Sequence, residues 1–476
     1  MVLSACPARL GSMVQANTRS RTPATPGVPP RRGVTAPVPS RRRWAPRLAG
    51  VVVGAGTLWV VVLAFSGESA AQLHAPGGIA IYLGTALGLI GTYLALLMVL
   101  LVSRVPPVER VLGLDALVRW HRRLAPWPIS LIVAHAVLIL FGYAQAAKTG
   151  VGAELRPLLL DYPDVLAATV GLLLMVAVGV ASVGLVRRRL RRETWWALHL
   201  YLYLALALSF AHAVVLGPTF VGHPLTQAVW SAAWIAGIGL VVVYRFGLPL
   251  VRSLRHQLRV AEVRTESPGV VSVLVRGRRL ERLPAAGGQF LQWRFMTPGL
   301  WWQAHPYTLS AMPRPPHLRI TVKAVGDHSA ALGKLRPGTR VWIEGPYGAF
   351  TRHARRRGRV ALVAAGIGVT AIRSLLEDLP AGTDPVVVLR ASSESHLVLR
   401  REVEALVKRH RGTLHLLLGS RDEVPLDAHE LLRLVPDLTR RDVYTCGPGQ
   451  FVSQVTEACR ELGIPRTAVH HEAYAL

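Results

Sequence analysis

Hydrophobic residues run in long unbroken blocks over the first half of this chain and in short alternating bursts over the second. Six blocks, at about 48–66, 78–103, 125–145, 164–186, 195–216 and 226–247, approach the roughly 20 residues a helix needs to cross the hydrocarbon core of a bilayer. They predict a membrane α-helical bundle of six spans over 48–250. Beyond it, β-branched runs at 258–265, 270–276, 289–295, 306–310, 318–325 and 340–343, set off by Gly and Pro, predict a small antiparallel β-barrel over 257–350. From 355 to 476, strand patterns (RVALVAAG, PVVVLRAS, TLHLLLGS, DVYTCGP, AVHHEAY) alternate with helical ones starting near 371, 397 and 450, plus one short helix. That alternation predicts an α/β nucleotide-binding domain with a parallel sheet.

Composition agrees: 51% of the 476 residues are hydrophobic and 17% charged, too apolar for a purely soluble chain. The net charge of +28 reads as membrane topology and not as nucleic-acid binding. Arginines crowd the segments before the first block (Arg41, Arg42, Arg43, Arg47), between the second and third (Arg104, Arg110, Arg119, Arg122, Arg123) and between the fourth and fifth (Arg187, Arg188, Arg189, Arg191, Arg192). The alternate loops hold only Lys148 and Arg156, so both termini are expected in the cytoplasm of a multi-pass cell-membrane protein. Residues 1–47 have no acidic residue and read as a disordered basic head attracted to anionic lipid. The alternative is that RRRW and the first block form a cleaved export signal. Cys6, Cys446 and Cys459 are too few for a four-cysteine iron–sulfur centre and imply no disulfide.

Four histidines interrupt the apolar pattern. His121 and His135 are 14 residues apart across the third block and the segment before it; His199 and His212 are 13 apart in the fifth. An ionisable side chain inside a membrane helix is expensive and is read first as a site with a partner. At 1.5 Å per residue each pair spans about 20 Å, near the two faces of the hydrocarbon core. One histidine from each helix at each depth would close two bis-histidine haems, with His121 and His199 inner, His135 and His212 outer. A lone histidine of this kind more often bonds a neighbouring helix; two matched pairs favour metal. Fourteen residues are about 3.9 turns and 13 about 3.6, so an ideal helix misaligns the second pair, and a π-bulge or kink between 200 and 211 would correct it.

In the second half, AAGIGVT (364–370) follows a strand and opens a helix, where Gly366 and Gly368 permit close backbone approach to a pyrophosphate. CGP (446–448) ends a later strand, where ligands bind in such sheets. HPYTLS (305–310) resembles the HPFTxxS flavin motif of the NADPH oxidase and ferric reductase family. The 14/13 histidine spacing, GPYG (345–348), the glycine turn, CGP and the closing HHEAYAL resemble that family in the same order, over about 48–476.

The resemblance implies that His305, Pro306, Tyr307, Thr308 and Ser310 cradle the flavin of FAD, with Lys323 and Ser329 near its pyrophosphate. Gly366, Gly368 and Thr370 would hold the phosphates of the nicotinamide dinucleotide. Cys446, with Gly447 and Pro448, would lie beside the nicotinamide, orienting it without acting as a nucleophile. The chain ends in Leu476 where the family has an aromatic, which leaves Tyr474 as the nearest cover for the flavin. Arg390, Ser392 and Ser393 end the second strand without an acid, and Arg400 and Arg401 follow, which favours NADPH over NADH, with Glu394 close enough to compete. The activity implied is transfer of electrons from cytoplasmic NAD(P)H through FAD and two b-type haems to a small extracytoplasmic acceptor, ferric iron or dioxygen. His74, His223, Asp161 and Asp164 in the outer loops are candidates to hold iron. Membrane lipid is the expected surrounding, nucleic acid is not a partner, and protein partners are left open. Two other readings stand beside this one: a haem-binding subunit with a degenerate or regulatory flavin module, and a membrane-tethered NAD(P)H–flavin reductase without haem.

Overall fold

A computed structural model describes residues 41–66, 70–190, 192–419 and 423–474. Most of the basic head, with Cys6, and also Arg191 and Leu476 lie outside the described residues. The chain divides into two compact units, Pro37–Gly247 and one that holds Leu248–Leu476.

The apolar blocks of the first unit become helices: α1 (Arg41–Phe65), α2 (Ala70–His74), α3 (Gly78–Val102), α4 (Pro106–Leu112), α5 (Leu114–Leu124), α6 (Pro126–Ala147), α7 (Val151–Leu160), α8 (Val165–Ser182), α9 (Gly184–Arg187), α10 (Arg192–Leu216) and α11 (Pro224–Val241). Five segments, Gly78–Val102, Ala116–Ala147, Val165–Ser182, Thr194–Leu216 and Pro224–His256, are long and apolar enough to cross a membrane. The sixth expected span falls short: within α1 only Gly50–Phe65 is apolar. α3 packs on α6 and α1, and α10 on α8. Leu89, Tyr93, Leu96, Phe220, Trp230 and Trp234 form the buried centre.

Two details depart from the sequence reading. His121 falls on α5 and His135 on α6, two helices divided at Ala125 ahead of Pro126 and Pro128 within the one apolar segment Ala116–Ala147, where the spacing had been measured along a single helix. α10 is α-helical throughout, with no bulge between Leu200 and Ala211; the π-helical stretch lies at Val242–Gly247.

The second unit opens with α12 (Leu248–His256). Strands β1 (Arg259–Ser267), β2 (Val270–Arg276), β3 (Phe290–Phe295), β4 (His305–Thr308), β5 (His317–Lys323) and β6 (Val341–Tyr347) form two antiparallel three-stranded sheets, β1-β2-β5 and β4-β3-β6. Alternate residues of both sheets, Val273, Val275, Leu291, Trp293, Phe295, Ile320 among them, share one core. The short helix α13 (Asp327–Ala331) follows β5. β4 stops at Thr308, so Ser310 lies past the strand, and β6 runs on to Tyr347, beyond the expected end at 343.

The remaining strands, β7 (Val360–Ala365), β8 (Val386–Ala391), β9 (Thr413–Leu418), β10 (Asp442–Pro448) and β11 (Val469–Tyr474), form a parallel sheet of order β11-β10-β7-β8-β9. The helices between them are α14 (Val369–Asp378), α15 (Arg400–Arg409), α16 (Ala428–Leu434) and α17 (Gly449–Glu461). Strand order reverses between β7 and β10, so the carboxyl ends of those two strands make the crevice in which such sheets bind ligands.

Candidate functional site

In the membrane unit the four histidines meet in pairs from three helices. The ring centres of His121 (α5) and His199 (α10) are 6.2 Å apart, and those of His135 (α6) and His212 (α10) 6.4 Å. With metal–nitrogen bonds of about 2 Å and the donor nitrogen about 1.1 Å from the ring centre, two imidazoles on opposite sides of one metal stand about 6.2 Å apart. The tautomers are set by the backbone. Nδ1 of His135 faces the carbonyl of Gly84 at 2.8 Å, and Nδ1 of His121 that of Met98 at 3.3 Å. A carbonyl only accepts, so Nδ1 carries the proton in both and the Nε2 lone pair is left for a metal. Gly88 makes room for this arrangement: a Cβ there would lie 2.6 Å from His135 Nδ1. On α10, Nδ1 of both His199 and His212 is buried without a hydrogen-bond partner among the described residues, a cost that a ligand to the ring would offset.

Among the described residues there is no cluster of three or more His, Cys, Asp or Glu, so His74, His223, Asp161 and Asp164 do not converge. Two imidazoles are too few for a bare ion, but haem, whose ring supplies its own equatorial nitrogens, asks for two. The donor set fits haem.

In the second unit, residues from four separate motifs converge where β7 and β10 end. Tyr474, at the end of β11, hydrogen-bonds Thr308 Oγ1 through its hydroxyl at 2.8 Å and also bonds Thr370 and Cys446. Burial, reinforced by Cys446 and Glu472, pushes the Tyr474 hydroxyl well above its usual range, so it is neutral. Cys446 is fully buried; burial and then Glu472 push its thiol far up, so it is no thiolate nucleophile at neutral pH. The glycine turn divides its work. Gly366 is exposed and has φ of 55°, in the left-handed region, whereas Gly368 lies against β10, where a Cβ would come within 2.2 Å of the Cys446 carbonyl oxygen. Gly447 and Pro448 complete the end of β10.

Around the flavin motif, His305 stacks on His328 with ring centres 3.6 Å apart, and Tyr307 Oη hydrogen-bonds His328 Nδ1 at 3.0 Å. His328 was not among the sequence candidates, although it sits in the segment that supplied Lys323 and Ser329. Pro306 is exposed beside them. Three candidates lie elsewhere. Ser310 is fully buried, its Oγ accepting from Thr321 at 2.9 Å and from Arg319 Nε at 3.1 Å. Ser329 Oγ accepts from the amides of Val325 and Gly326 at 2.9 and 3.0 Å, closing the turn before α13. Lys323 is exposed at the end of β5.

Next to Gly366 a small cleft is lined by Val369, Arg390, His396 and Leu397. Ser392 and Ser393 hydrogen-bond His396 Nδ1 at 3.0 and 2.8 Å. Arg400 pairs with Glu394 at 2.6 Å and Glu404 at 2.7 Å, and Arg401 is exposed.

A bundle of apolar helices followed by a flavin sheet pair and a parallel nucleotide sheet is the build of a transmembrane flavoprotein oxidoreductase. The family described as ferric reductase like transmembrane component matches residues 87–210, and an FAD-binding domain matches residues 256–351. The chain belongs to the ferric reductase and NADPH oxidase family. It is 34% identical to ferredoxin–NADP reductase B of Sorangium cellulosum over 173 residues, 33% of this chain and 71% of that protein. It is 28% identical to the glycine betaine monooxygenase reductase subunit of Pseudomonas aeruginosa over 186 residues, 35% of this chain and 50% of that one. The flavohem-like FAD/NAD-binding domain of nitric oxide dioxygenase from Vibrio cholerae O1 biovar El Tor is similar at 22% identity, over 46% of this chain and 98% of that one, with a TM-score of 0.38. The chain spans about half the length of most of the curated relatives it matches first.

Proposed function

We propose that the protein moves electrons from cytoplasmic NAD(P)H through FAD and two b-type haems to an extracytoplasmic acceptor, the family implying ferric iron or dioxygen. The observation that carries this reading is the pairing of half-buried imidazoles at metal-bridging separation in the same chain as a flavin and nucleotide module. FAD supplies the change from hydride to single electrons, and haem reversible one-electron chemistry. The protein's part is geometry. His121 with His199, and His135 with His212, would hold the two haems through ring nitrogens, and the Met98 and Gly84 carbonyls fix the tautomer in the first member of each pair. Thr308, Thr370, Cys446 and Tyr474 bring the flavin motif and the nucleotide crevice to one place, and neutral Cys446 orients the nicotinamide. His305, Pro306 and Tyr307 line the flavin side, and Gly366 the phosphates. Lys323 and Ser329 act at the FAD pyrophosphate through the turn that Ser329 closes, and Ser310 acts by holding Arg319.

Arg390 at the end of β8 supports NADPH, with Glu394 paired to Arg400 at the surface. The arginine-rich segments support cytoplasmic termini in the cell membrane, with the apolar part of α1 as the sixth span. A reduced-minus-oxidised spectrum of the purified chain with haem quantification tests the proposal. About two haems per chain, reduced by NADPH, is the expected result. A flavin-only spectrum after expression with haem supplied would leave the membrane-tethered flavin reductase.

A further inference from the structure

A cleft opens at the end of the bundle that holds the His135–His212 pair, between the end of α1, the start of α3 and the segment joining α10 to α11. It is lined by Leu63, Ala64 and Pro218 on the apolar side and by Ser66, Tyr82, Thr85, Thr219, His223 and Thr226 on the other. Its volume is about 260 Å³, just under the usual range of small-molecule sites and enough for a single ring. Two connections tie it to the histidine pair. Thr85 directly follows Gly84, whose carbonyl accepts the Nδ1 proton of His135. Pro218 and Thr219 follow the end of α10 at Leu216, one turn beyond His212.

The lining decides the chemistry of the occupant. Hydroxyls and one imidazole offer hydrogen bonds without a fixed charge; among the described residues that line the cleft there is no carboxylate to hold a hard ferric ion and no Lys or Arg to balance an anionic chelate. Dioxygen has no use for so many donors. The Ser66 and Tyr82 hydroxyls reach only long contacts, 3.5 Å to the Leu63 carbonyl and 3.4 Å to the Phe65 carbonyl, so a better acceptor would draw them. The α1 wall belongs to a helix whose Val51, Val52, Leu58 and Val62 are more than half exposed, a face suited to lipid, from which an apolar molecule can enter.

We propose that this cleft binds the ring of a membrane-soluble quinone, its two carbonyl oxygens held by the hydroxyls and its tail left against lipid, and that quinone is an electron acceptor of this protein. The inference rests on the proposed electron path. The balance is NAD(P)H plus quinone plus two protons from the outer side giving NAD(P)⁺, quinol and one proton on the cytoplasmic side. The two electrons of the hydride reduce both carbonyls to hydroxyls.

The test uses the full chain in lipid nanodiscs and a decyl-tailed benzoquinone. Binding is read without NADPH, by quenching of tryptophan fluorescence. Turnover is read with NADPH, against the quinone and, separately, against an impermeant ferric chelate. Saturable quenching is expected, weakened about tenfold by Thr85→Val with Thr219→Val, which keep volume and remove hydrogen bonds, and abolished by Thr85→Leu, which fills the cleft. The KM for quinone should rise in step while ferric chelate reduction is unchanged. Absence of saturable quenching in the wild type, or an equal loss of both acceptors in the variants, overturns the proposal. Cleft-dependent quenching in a protein that NADPH does not reduce would uphold the quinone site and instead overturn the electron path.

Discussion

A single methyl group separates the two roles of the glycine turn. At Gly368 it would press on the backbone of Cys446, which cannot yield as a flexible side chain can, so Gly368→Ala should destabilise the second unit by about 1–3 kcal/mol. At Gly366 the space is open and only the left-handed φ is strained, for about 1 kcal/mol. Thermal release of flavin fluorescence should rank the two variants in that order. Cys446 makes a second prediction at this scale. Burial keeps its thiol protonated, so iodoacetamide should leave it unmodified in the folded chain, and Cys446→Ser should slow NADPH-to-flavin hydride transfer in stopped flow while any haem spectrum is unchanged. Unchanged rates would remove the residue from the site.

Between elements, the flavin sheets and the nucleotide sheet are joined by a chain of charges. Arg319 on β5 pairs with Glu402 on α15 through both carboxylate oxygens, at 2.7 and 2.8 Å, and Arg373 on α14 reaches the same carboxylate at 2.8 Å. Arg373 and Arg314 also pair with the buried Glu377. Burial alone would raise the Glu402 carboxyl, but Arg319 and Arg373 overcome it and hold it below the usual carboxylate range. A depressed folded pKa stabilises above the unfolded value, about 4.3, and that contribution is lost as pH falls through the folded value. Glu402→Gln should therefore lower the unfolding temperature of the flavin module at pH 7, and the gap to wild type should close as pH drops below about 4. A gap independent of pH would assign the loss to packing. None of this was legible in the sequence, since Arg319 and Glu402 are 83 residues apart and carry no motif.

For the whole molecule, the two histidine pairs predict separable losses. On the proposed electron path, His135→Ala or His212→Ala should remove the proposed outer haem and about half of the haem absorbance, and His121→Ala or His199→Ala the proposed inner one. In vesicles with NADPH on the cytoplasmic side, reduction of an impermeant ferric complex beyond the membrane should stop in the His135 and His212 variants. Equal reduction by haem-free variants would make the flavin the exit point.

The sequence by itself determined the elements. Period and length in the hydrophobic pattern are local properties, so the helices of the bundle, the strands of the sheets and the alternation beyond 355 could be read residue by residue. Candidate chemistry was also local: histidine in an apolar block, a glycine turn after a strand and CGP at a strand end each pointed to a role, and HPYTLS did so through its resemblance to a known family. Partnership was not. Tertiary structure alone decided that Gly84 and Met98 present carbonyls to two imidazoles, that Ser310 holds Arg319, and that His328 stacks on His305. The physical reason is one of range. A hydrogen bond or ring contact between segments dozens of residues apart is set by how two helices or two sheets approach, and that approach depends on the summed packing of all their side chains, not on a pattern in either segment.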